Sequence, residues 1–287
     1  MVNIKKKCFA VFGNPIIHSL SPLIHNYFSY YTKIDYEYIS VLVPLDDFNK
    51  ILYDFFTNRY GIGANITAPY KEKAFLFANK LTDKAFIAGS VNTLFKINND
   101  IILGDNTDGI GLLYDLKRLK FLIKKNNVLI LGAGGAAKGI IPSLIKYGCN
   151  IFLHNRTKEK VDNLIKQFKI LGNVHNFTYF NNKKIHFDLI INTTSCIFSK
   201  DVKYISQQFF SKTTFFYDIC YDLKKDTSFL SWCKTNGAIY YSDGFGMLVC
   251  QAAYSFSIWN KDYLFIENMI DATLTYFKKN KKLIFSK

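Results

Sequence analysis

The chain has 287 residues, enough for about two domains with sizeable cores. Its formal charge is +15, and it carries 27 Phe and 19 Tyr. Lysines gather only near residues 5–7, 124–125 and 278–282 and form no stripe interleaved with aromatics. The charge therefore reads as solvated surface with a mild pull on anionic substrates, and a nucleic-acid interface, which rests on net charge alone, is not expected.

Other classes are excluded as quickly. No apolar run reaches the ~20 residues of a membrane span, and the basic residues 5–7 are not followed by the apolar segment of a signal peptide. A soluble, cytoplasmic protein is expected. The six cysteines form no CxxC pair, and Cys8, Cys149 and Cys250 lie in apolar runs, as buried reduced thiols do. The five histidines show no ligand spacing, so no metal site is expected. The bias toward Lys, Asn, Ile, Phe and Tyr runs through the whole chain, as an A- and T-rich genome would cause.

In chain order, strand and helix alternate. Residues 8–12 read as a strand. Ser21-Pro22 opens a helix, with Ser at the cap and Pro at the first helical position. Residues 36–43 alternate like a strand, 46–57 like a helix, 62–67 like a strand and 69–79 like a helix. Residues 91–97 and 101–104 form a hairpin around Asn98-Asn99-Asp100. A helix begins at Gly109. Strands follow at 127–131, 150–154, 187–193, 214–219 and 238–241, separated by helices, and 244–259 and 265–278 close the chain as helices. The expected architecture is α/β with two domains. An N-terminal α/β substrate domain (1–107) is completed by the C-terminal helices (245–287), and a Rossmann-like nucleotide domain (108–244) is inserted between them.

The inserted segment carries the sharpest signal. Asn127-Val128-Leu129-Ile130-Leu131 is a short apolar run ending in Gly132-Ala133-Gly134-Gly135-Ala136, which opens a helix. A buried parallel strand needs that run. Gly132 allows a tight turn, Gly134 lets backbone approach a pyrophosphate, and the helix N-terminus offers N–H groups and a positive dipole end. A second strand follows at 150–154. Enzymes that use NAD usually end it with a carboxylate for the ribose hydroxyls. Here Asn155-Arg156-Thr157-Lys158 stands there, with Lys160 beyond. No carboxylate at that strand end would repel an extra phosphate, and a guanidinium can pair with it, so NADP is favoured.

Polar segments interrupt the first domain at strand ends, where α/β proteins collect ligand groups. Ser19 and Ser21 put two hydroxyls at a helix N-terminus, which suits a small carboxylate, although Ser21 could be only a cap. Asn65 and Thr67 end a strand, and Lys71 follows in the first turn of a helix, where a lysine opposes the helix dipole. That unfavourable placement hints at acid/base work, against the plain alternative of a surface lysine. Asn92 sits at a strand start. Asp108 could cap the next helix or pair with Lys71. Gln251 lies among apolar residues of the penultimate helix, either partly exposed or reaching a polar ligand.

Together GNPIIHSLSPLIHN, GANITAPYKE, AGSVNTL, GDNTDG, GAGGAAKG, NRT, INTTS, YDICY and GFGMLVCQAA, spread over residues 13–253, resemble the shikimate dehydrogenase family. That resemblance implies NADP-dependent interconversion of 3-dehydroshikimate and shikimate in aromatic amino-acid biosynthesis. It implies Lys71 as the acid/base group paired with Asp108. Ser19, Ser21 and Thr67 would hold the substrate carboxylate, Asn92 and Gln251 the ring hydroxyls, with Asn65 and Tyr221 beside the substrate. Gly132, Ala133, Gly134, Gly135 and Ala136 would carry the pyrophosphate. Asn155, Arg156, Thr157, Lys158 and Lys160 would face the 2′-phosphate, and Ile219 and Gly244 would flank the nicotinamide. The expected partner is the small substrate alone, with the chain a monomer or homodimer.

Two loops depart from the family pattern. Cys196-Ile197-Phe198 stands where a glycine is common, and residues 222–228 lack a common proline. An NAD-preferring quinate/shikimate dehydrogenase is the alternative enzyme, and Arg156 argues against it. A non-catalytic protein of the same fold is the alternative from another class, and the presence of Lys71 and Asp108 argues against that.

Overall fold

The computed structural model describes residues 6–58, 60–98, 101–122, 124–177, 185–194, 211–261 and 263–285, with backbone alone for 282–285. The chain divides into two compact units, Met1–Gly111 with Leu248–Asn280, and Leu112–Met247 with Lys281–Lys287.

The first unit contains β1 (Lys7–Gly13), α1 (Ser21–Thr32), β2 (Tyr36–Leu42), α2 (Phe48–Thr57), β3 (Gly61–Ile66), α3 (Lys71–Phe77), β4 (Lys80–Leu81), α4 (Asp83–Ala88), β5 (Thr93–Lys96) and β6 (Ile102–Asp105). Its strands form one mixed sheet in the order β2-β1-β3-β5-β6-β4. β1 lies parallel to β2 and β3, and β5 runs antiparallel to β3 and β6. Helix α2 buries Phe48, Leu52, Phe55 and Phe56, a stripe at helical spacing. That stripe packs with Phe12, Ala64, Ile66 and Tyr70, and Phe48 stacks on Tyr70 at 4.9 Å. β3 is buried along nearly its whole length, so its polar end residue Asn65 needs partners inside the protein.

The second unit contains β7 (Asn127–Leu131), α6 (Gly135–Tyr147), β8 (Asn150–His154), α7 (Lys158–Phe168), β9 (Val174–Asn176), β10 (Leu189–Asn192), β11 (Phe215–Asp218), α8 (Ser228–Thr235) and β12 (Tyr240–Ser242). Its sheet is parallel throughout, in the order β12-β11-β10-β7-β8-β9. The neighbours of β7 lie on opposite sides, β8 on one and β10 on the other, which is the doubly wound arrangement with its ligand crevice at the strand-order switch. Val128 and Ile130 enter one apolar layer and Leu129 and Leu131 the other, so a continuous apolar run is what this strand requires.

The unit boundaries fall inside α5 (Asp108–Arg118), α9 (Phe245–Trp259) and α10 (Ile266–Phe285). Several details differ from the sequence expectation. α10 runs to Phe285, past the expected end at 278, because its lysine-rich tail is helix-favouring in itself. β4, α4 and β9 were not anticipated, being too short to show a period. Part of the expected 98–100 turn lies outside the described residues. No described helix is long and apolar enough to cross a membrane. Among the described residues, Cys8, Cys149, Cys233 and Cys250 are free thiols.

Candidate active site

Lys71 opens α3 directly after the β3 strand end, and Asp108 opens α5 after β6. The Lys71 ammonium donates to Asp108 Oδ2 at 2.5 Å, with side-chain exposures of 14% and 5%. The other carboxylate oxygen accepts from Asn92 Nδ2 at 2.9 Å. The Asp108 backbone N–H goes to Asn106 Oδ1 at 3.1 Å, and Asn106 in turn donates to Ser90. The carboxylate is thus turned to Lys71 and Asn92, and the capping reading of Asp108 does not apply.

Asn92 is held on every side. Its Oδ1 accepts from the Thr107 N–H and the Thr93 hydroxyl, each at 2.8 Å. Its Nδ2 also reaches Thr107 Oγ1 at 2.9 Å and Gln251 Oε1 at 3.3 Å. Gln251 is tied back by Nε2 to Leu248 O. Gly111 lets α9 come this near, since a Cβ there would lie 2.8 Å from the Gln251 backbone nitrogen.

Asn65 lies opposite Thr93 in the β3–β5 register. Its Nδ2 reaches Ser255 Oγ at 2.9 Å, Asn92 O at 3.2 Å and Thr93 Oγ1 at 3.3 Å, and its Oδ1 accepts from the Tyr38 hydroxyl at 2.7 Å. Both amide hydrogens are therefore used inside the protein. Tyr38 is buried, which pushes its phenol well above the usual tyrosine range, and Ser21 is its hydrogen-bonding neighbour.

Ser19 and Ser21 stand at the head of α1, but not as expected. Leu20 occupies the N-cap with no side-chain cap, and Ser21 is already helical with Pro22 behind it. Ser19 Oγ accepts the Ser21 N–H at 3.3 Å, so the helix start uses Ser19 and leaves the Ser21 hydroxyl to other partners. Thr67 is bonded by its N–H to Phe12 O at 2.9 Å, beside Gly13, where a Cβ would collide with the Thr67 methyl.

One turn along α1 from Ser21, His25 stacks on Tyr38 with centroids 3.9 Å apart and planes 6° off parallel. The Tyr36 hydroxyl donates to His25 O at 2.7 Å, so His25 Nδ1 at 3.2 Å must be the donor to Tyr36. Nε2 is left as a buried lone pair with no partner. Burial pushes the imidazole down to about 3, partly offset by the Asn65 amide. Tyr38, His25 and Ser255 were not singled out from sequence. The available signal was spacing, since His25 follows Ser21 and Ser255 follows Gln251 by one helical turn.

The second unit carries the nucleotide elements. Gly132 has φ +108°, and a Cβ there would meet Thr193 Oγ1 at 2.5 Å. Gly134 is different: it is exposed, caps α6 in extended conformation, and a Cβ would meet nothing within 4 Å. Packing does not explain a glycine there, whereas a backbone that must lie against a phosphate does. Gly135 and Ala136 are half-buried in the first turn of α6, Ala133 is buried, and no side chain caps the helix. These residues fit a pyrophosphate. Beyond β8, Asn155 is half-buried and donates to Thr157 O at 3.1 Å, while Arg156, Thr157, Lys158 and Lys160 are exposed at the head of α7. That predominantly cationic end, with Glu159 its acidic residue, fits a 2′-phosphate.

Gly244 packs on Ile219 so tightly that a Cβ would run into Ile219 O, and its N–H bonds Cys220 O at 3.0 Å. Below them Asp218 accepts from Asn192, Thr227 and the Cys220 N–H. Burial pushes its carboxyl up to about 6. Tyr221 meets Phe245 edge-on at 6.5 Å. The 222–228 loop closes without proline: Asp222 accepts from the Lys224 and Lys225 N–H groups, and Thr227 caps α8. The departure at Cys196-Ile197-Phe198 lies outside the described residues.

Residues 11–94 match the model of the shikimate dehydrogenase substrate binding domain, and residues 115–221 that of shikimate / quinate 5-dehydrogenase. The NADP(+) shikimate dehydrogenase of Buchnera aphidicola subsp. Schizaphis graminum is 46% identical over 260 residues, covering 91% of this chain and 94% of that one.

The chain belongs to the shikimate dehydrogenase family.

Solved members share its fold. The shikimate dehydrogenase of Aquifex aeolicus has a TM-score of 0.81 at 32% identity, covering 96% of this chain and 99% of that one. The shikimate 5-dehydrogenase of Thermus thermophilus, in complex with NADP(H) and shikimate, has a TM-score of 0.78 at 26% identity, covering 94% and 99%. As a family member this chain has the substrate-domain motifs on its first unit and the nucleotide motifs on its second.

Proposed function

We propose that this chain is an NADP-dependent shikimate dehydrogenase that moves the reaction's proton with Lys71 and Asp108. The observation that carries the proposal is the buried Lys71–Asp108 pair at 2.5 Å, with Asn92 on the free side of the carboxylate. Its relatives bear the same activity in their names. The bound cofactor supplies the hydride for the substrate carbonyl carbon and accepts it in the reverse direction.

The rest falls to the chain. Lys71 gives the carbonyl oxygen its proton in reduction and removes it in oxidation. Asp108 holds the lysine in place and balances its charge. Asn92 and Gln251 bind ring hydroxyls, with Gln251 Oε1 only loosely engaged by Asn92 at 3.3 Å. Ser19, Ser21 and Thr67 read the substrate carboxylate, as hydroxyls at a helix N-terminus favour an anion. Asn65 serves by holding its neighbours, because its amide is committed within the protein. Tyr221, from the nucleotide-binding unit, is the further substrate contact that the family implies. Arg156, with Asn155, Thr157, Lys158 and Lys160, takes the 2′-phosphate, and Gly132, Ala133, Gly134, Gly135 and Ala136 take the pyrophosphate. Ile219 and Gly244 line the nicotinamide side. A small-molecule reductase of this kind works in the cytoplasm.

The test follows nicotinamide absorbance with shikimate and NADP or NAD. NADP-dependent turnover that Lys71→Ala abolishes is the expected result. No turnover with shikimate in the wild-type chain overturns the proposal.

A further inference from the structure

We propose that Ser255 on α9 is a positioning residue for the reaction, because its hydroxyl joins the groups that orient Asn92 and hence Asp108. The proposal rests on Lys71 and Asp108 being the reacting pair. Ser255 is fully buried. Its Oγ lies 2.9 Å from Asn65 Nδ2, 2.7 Å from Thr93 Oγ1 and 3.2 Å from Thr107 Oγ1.

The proton directions follow from chemistry. An amide nitrogen only donates, so Ser255 accepts from Asn65. Asn92 Oδ1 only accepts, and the Thr93 hydroxyl donates to it at 2.8 Å. Thr93 then accepts from Ser255 at 2.7 Å, and the serine shares its single proton with the Gln251 carbonyl oxygen, 3.0 Å away one helical turn back. Thr107 Oγ1 accepts from Asn92 Nδ2 at 2.9 Å, and its own proton is left for the second lone pair of Ser255. This assignment gives a chain of donors running one way, from Tyr38 to Asn65, Ser255, Thr93 and Asn92, and ending on the Asp108 carboxylate. Aligned hydrogen bonds of this kind polarise one another, so the chain stiffens as a whole.

Ser255 occupies the crossing point. Its hydroxyl links α9 to β3, to β5 and to the segment leading into α5. Without it, Asn65 and Thr107 each lose an acceptor and Thr93 loses a donor. Asn92 keeps its direct partners, but the Thr93 hydroxyl that donates to it is no longer held from behind, so the orientation of Asn92 and of the carboxylate that holds Lys71 is loosened. Nothing in the chain places Ser255 against substrate, so the loss falls on orientation.

The experiment measures kcat and KM with shikimate and NADP for wild type, Ser255→Ala, Ser255→Cys, Lys71→Ala and Thr273→Val. Thr273 is the control, a fully buried hydroxyl that bonds its own helix at Met269 O, 2.6 Å away. Ser255→Ala should lower kcat on the order of tenfold, with KM for NADP unchanged. Ser255→Cys should recover part of that loss, since a thiol still donates and accepts weakly. Thr273→Val should leave kcat alone, whatever it does to the melting temperature. A wild-type kcat in Ser255→Ala overturns the proposal, as does an equal fall in Thr273→Val. If Ser255→Ala does not fold, Ser255→Cys decides: a lowered kcat with normal KM for NADP supports the role, and a wild-type kcat overturns it. Normal turnover in Lys71→Ala would instead strike the underlying assignment of the reacting pair.

Discussion

Lys71 and Asp108 are 37 residues apart in the chain, yet their charged groups meet at 2.5 Å in a corner almost closed to water. Each begins a helix that follows a polar strand end. A lysine at a helix N-terminus opposes the dipole and is placed there at a cost, which the carboxylate offsets. Lys71→Ala should cut turnover by about 10²–10⁴-fold, the usual range for an acid/base group, with little effect on cofactor binding. Asp108→Asn should also lower it. The double variant should be far less impaired than the product of the two, because groups that act as a unit are non-additive. Steady-state turnover of the four proteins checks this, and strictly multiplicative losses would contradict it.

Ser19 and Ser21 make a second prediction, sharpened by the geometry of α1. Ser→Ala at either position should raise KM for shikimate and leave kcat largely intact. Since no side chain caps α1 and Ser21 lies inside the helix, Ser21→Ala should not act by uncapping. An analogue without the carboxylate should be bound equally by wild type and both variants. A variant that still discriminates against that analogue as strongly as wild type would sink the assignment.

Arg156 is exposed at the head of α7, with Lys158 and Lys160 nearby and Glu159 as the acidic residue of the first turn. Arg156→Ala should weaken NADP by a charge-assisted contact, about 1.5–3 kcal/mol. NAD, which lacks the 2′-phosphate, should be almost unaffected. Titration of both cofactors by fluorescence separates the two results, and equal losses would reject the role.

His25 links the fold to acid sensitivity. Its folded-state value is pushed down to about 3 by burial, from 6.5. Between those values the unfolded chain binds a proton that the native imidazole does not, so stability falls as pH falls below 6.5. Going from pH 7 to pH 5, this one group should remove about 2 kcal/mol. His25→Phe keeps a flat ring against Tyr38 and does not titrate. Urea unfolding at the two pH values should show a loss smaller by that amount in the variant. The same loss in both proteins would mean that His25 is not the sensor.

Much of the chemistry was legible in the chain because it is local. A continuous apolar run before Gly132 specifies a strand buried on both faces, and a glycine turn opening a helix specifies where phosphate can lie. The residues after β8 point to NADP through charge type, in agreement with the NADP-dependent relatives. Lys71 betrayed itself by standing where a helix does not favour it, and the short motifs around Ser19, Asn92 and Asp108 named the family. In each case the residue and the backbone that gives it meaning are within a few positions of each other.

What tertiary structure decided was partnership over long separations. Asn65 and Ser255 are 190 residues apart, and their contact follows from the β3–β5 register and the packing of α9. Strand alternation says that Asn65 faces inward but not that its amide is spent on Tyr38 and Ser255. A serine in an apolar helix carries no mark of the three polar groups converging on it. Helical spacing likewise put Ser21 at the start of α1, and only the backbone angles moved the cap to Leu20. Side-chain period is set by the local backbone, whereas hydrogen-bond partners are set by which elements pack together. The proposed reacting residues could therefore be read from the sequence, and the buried network around them could not.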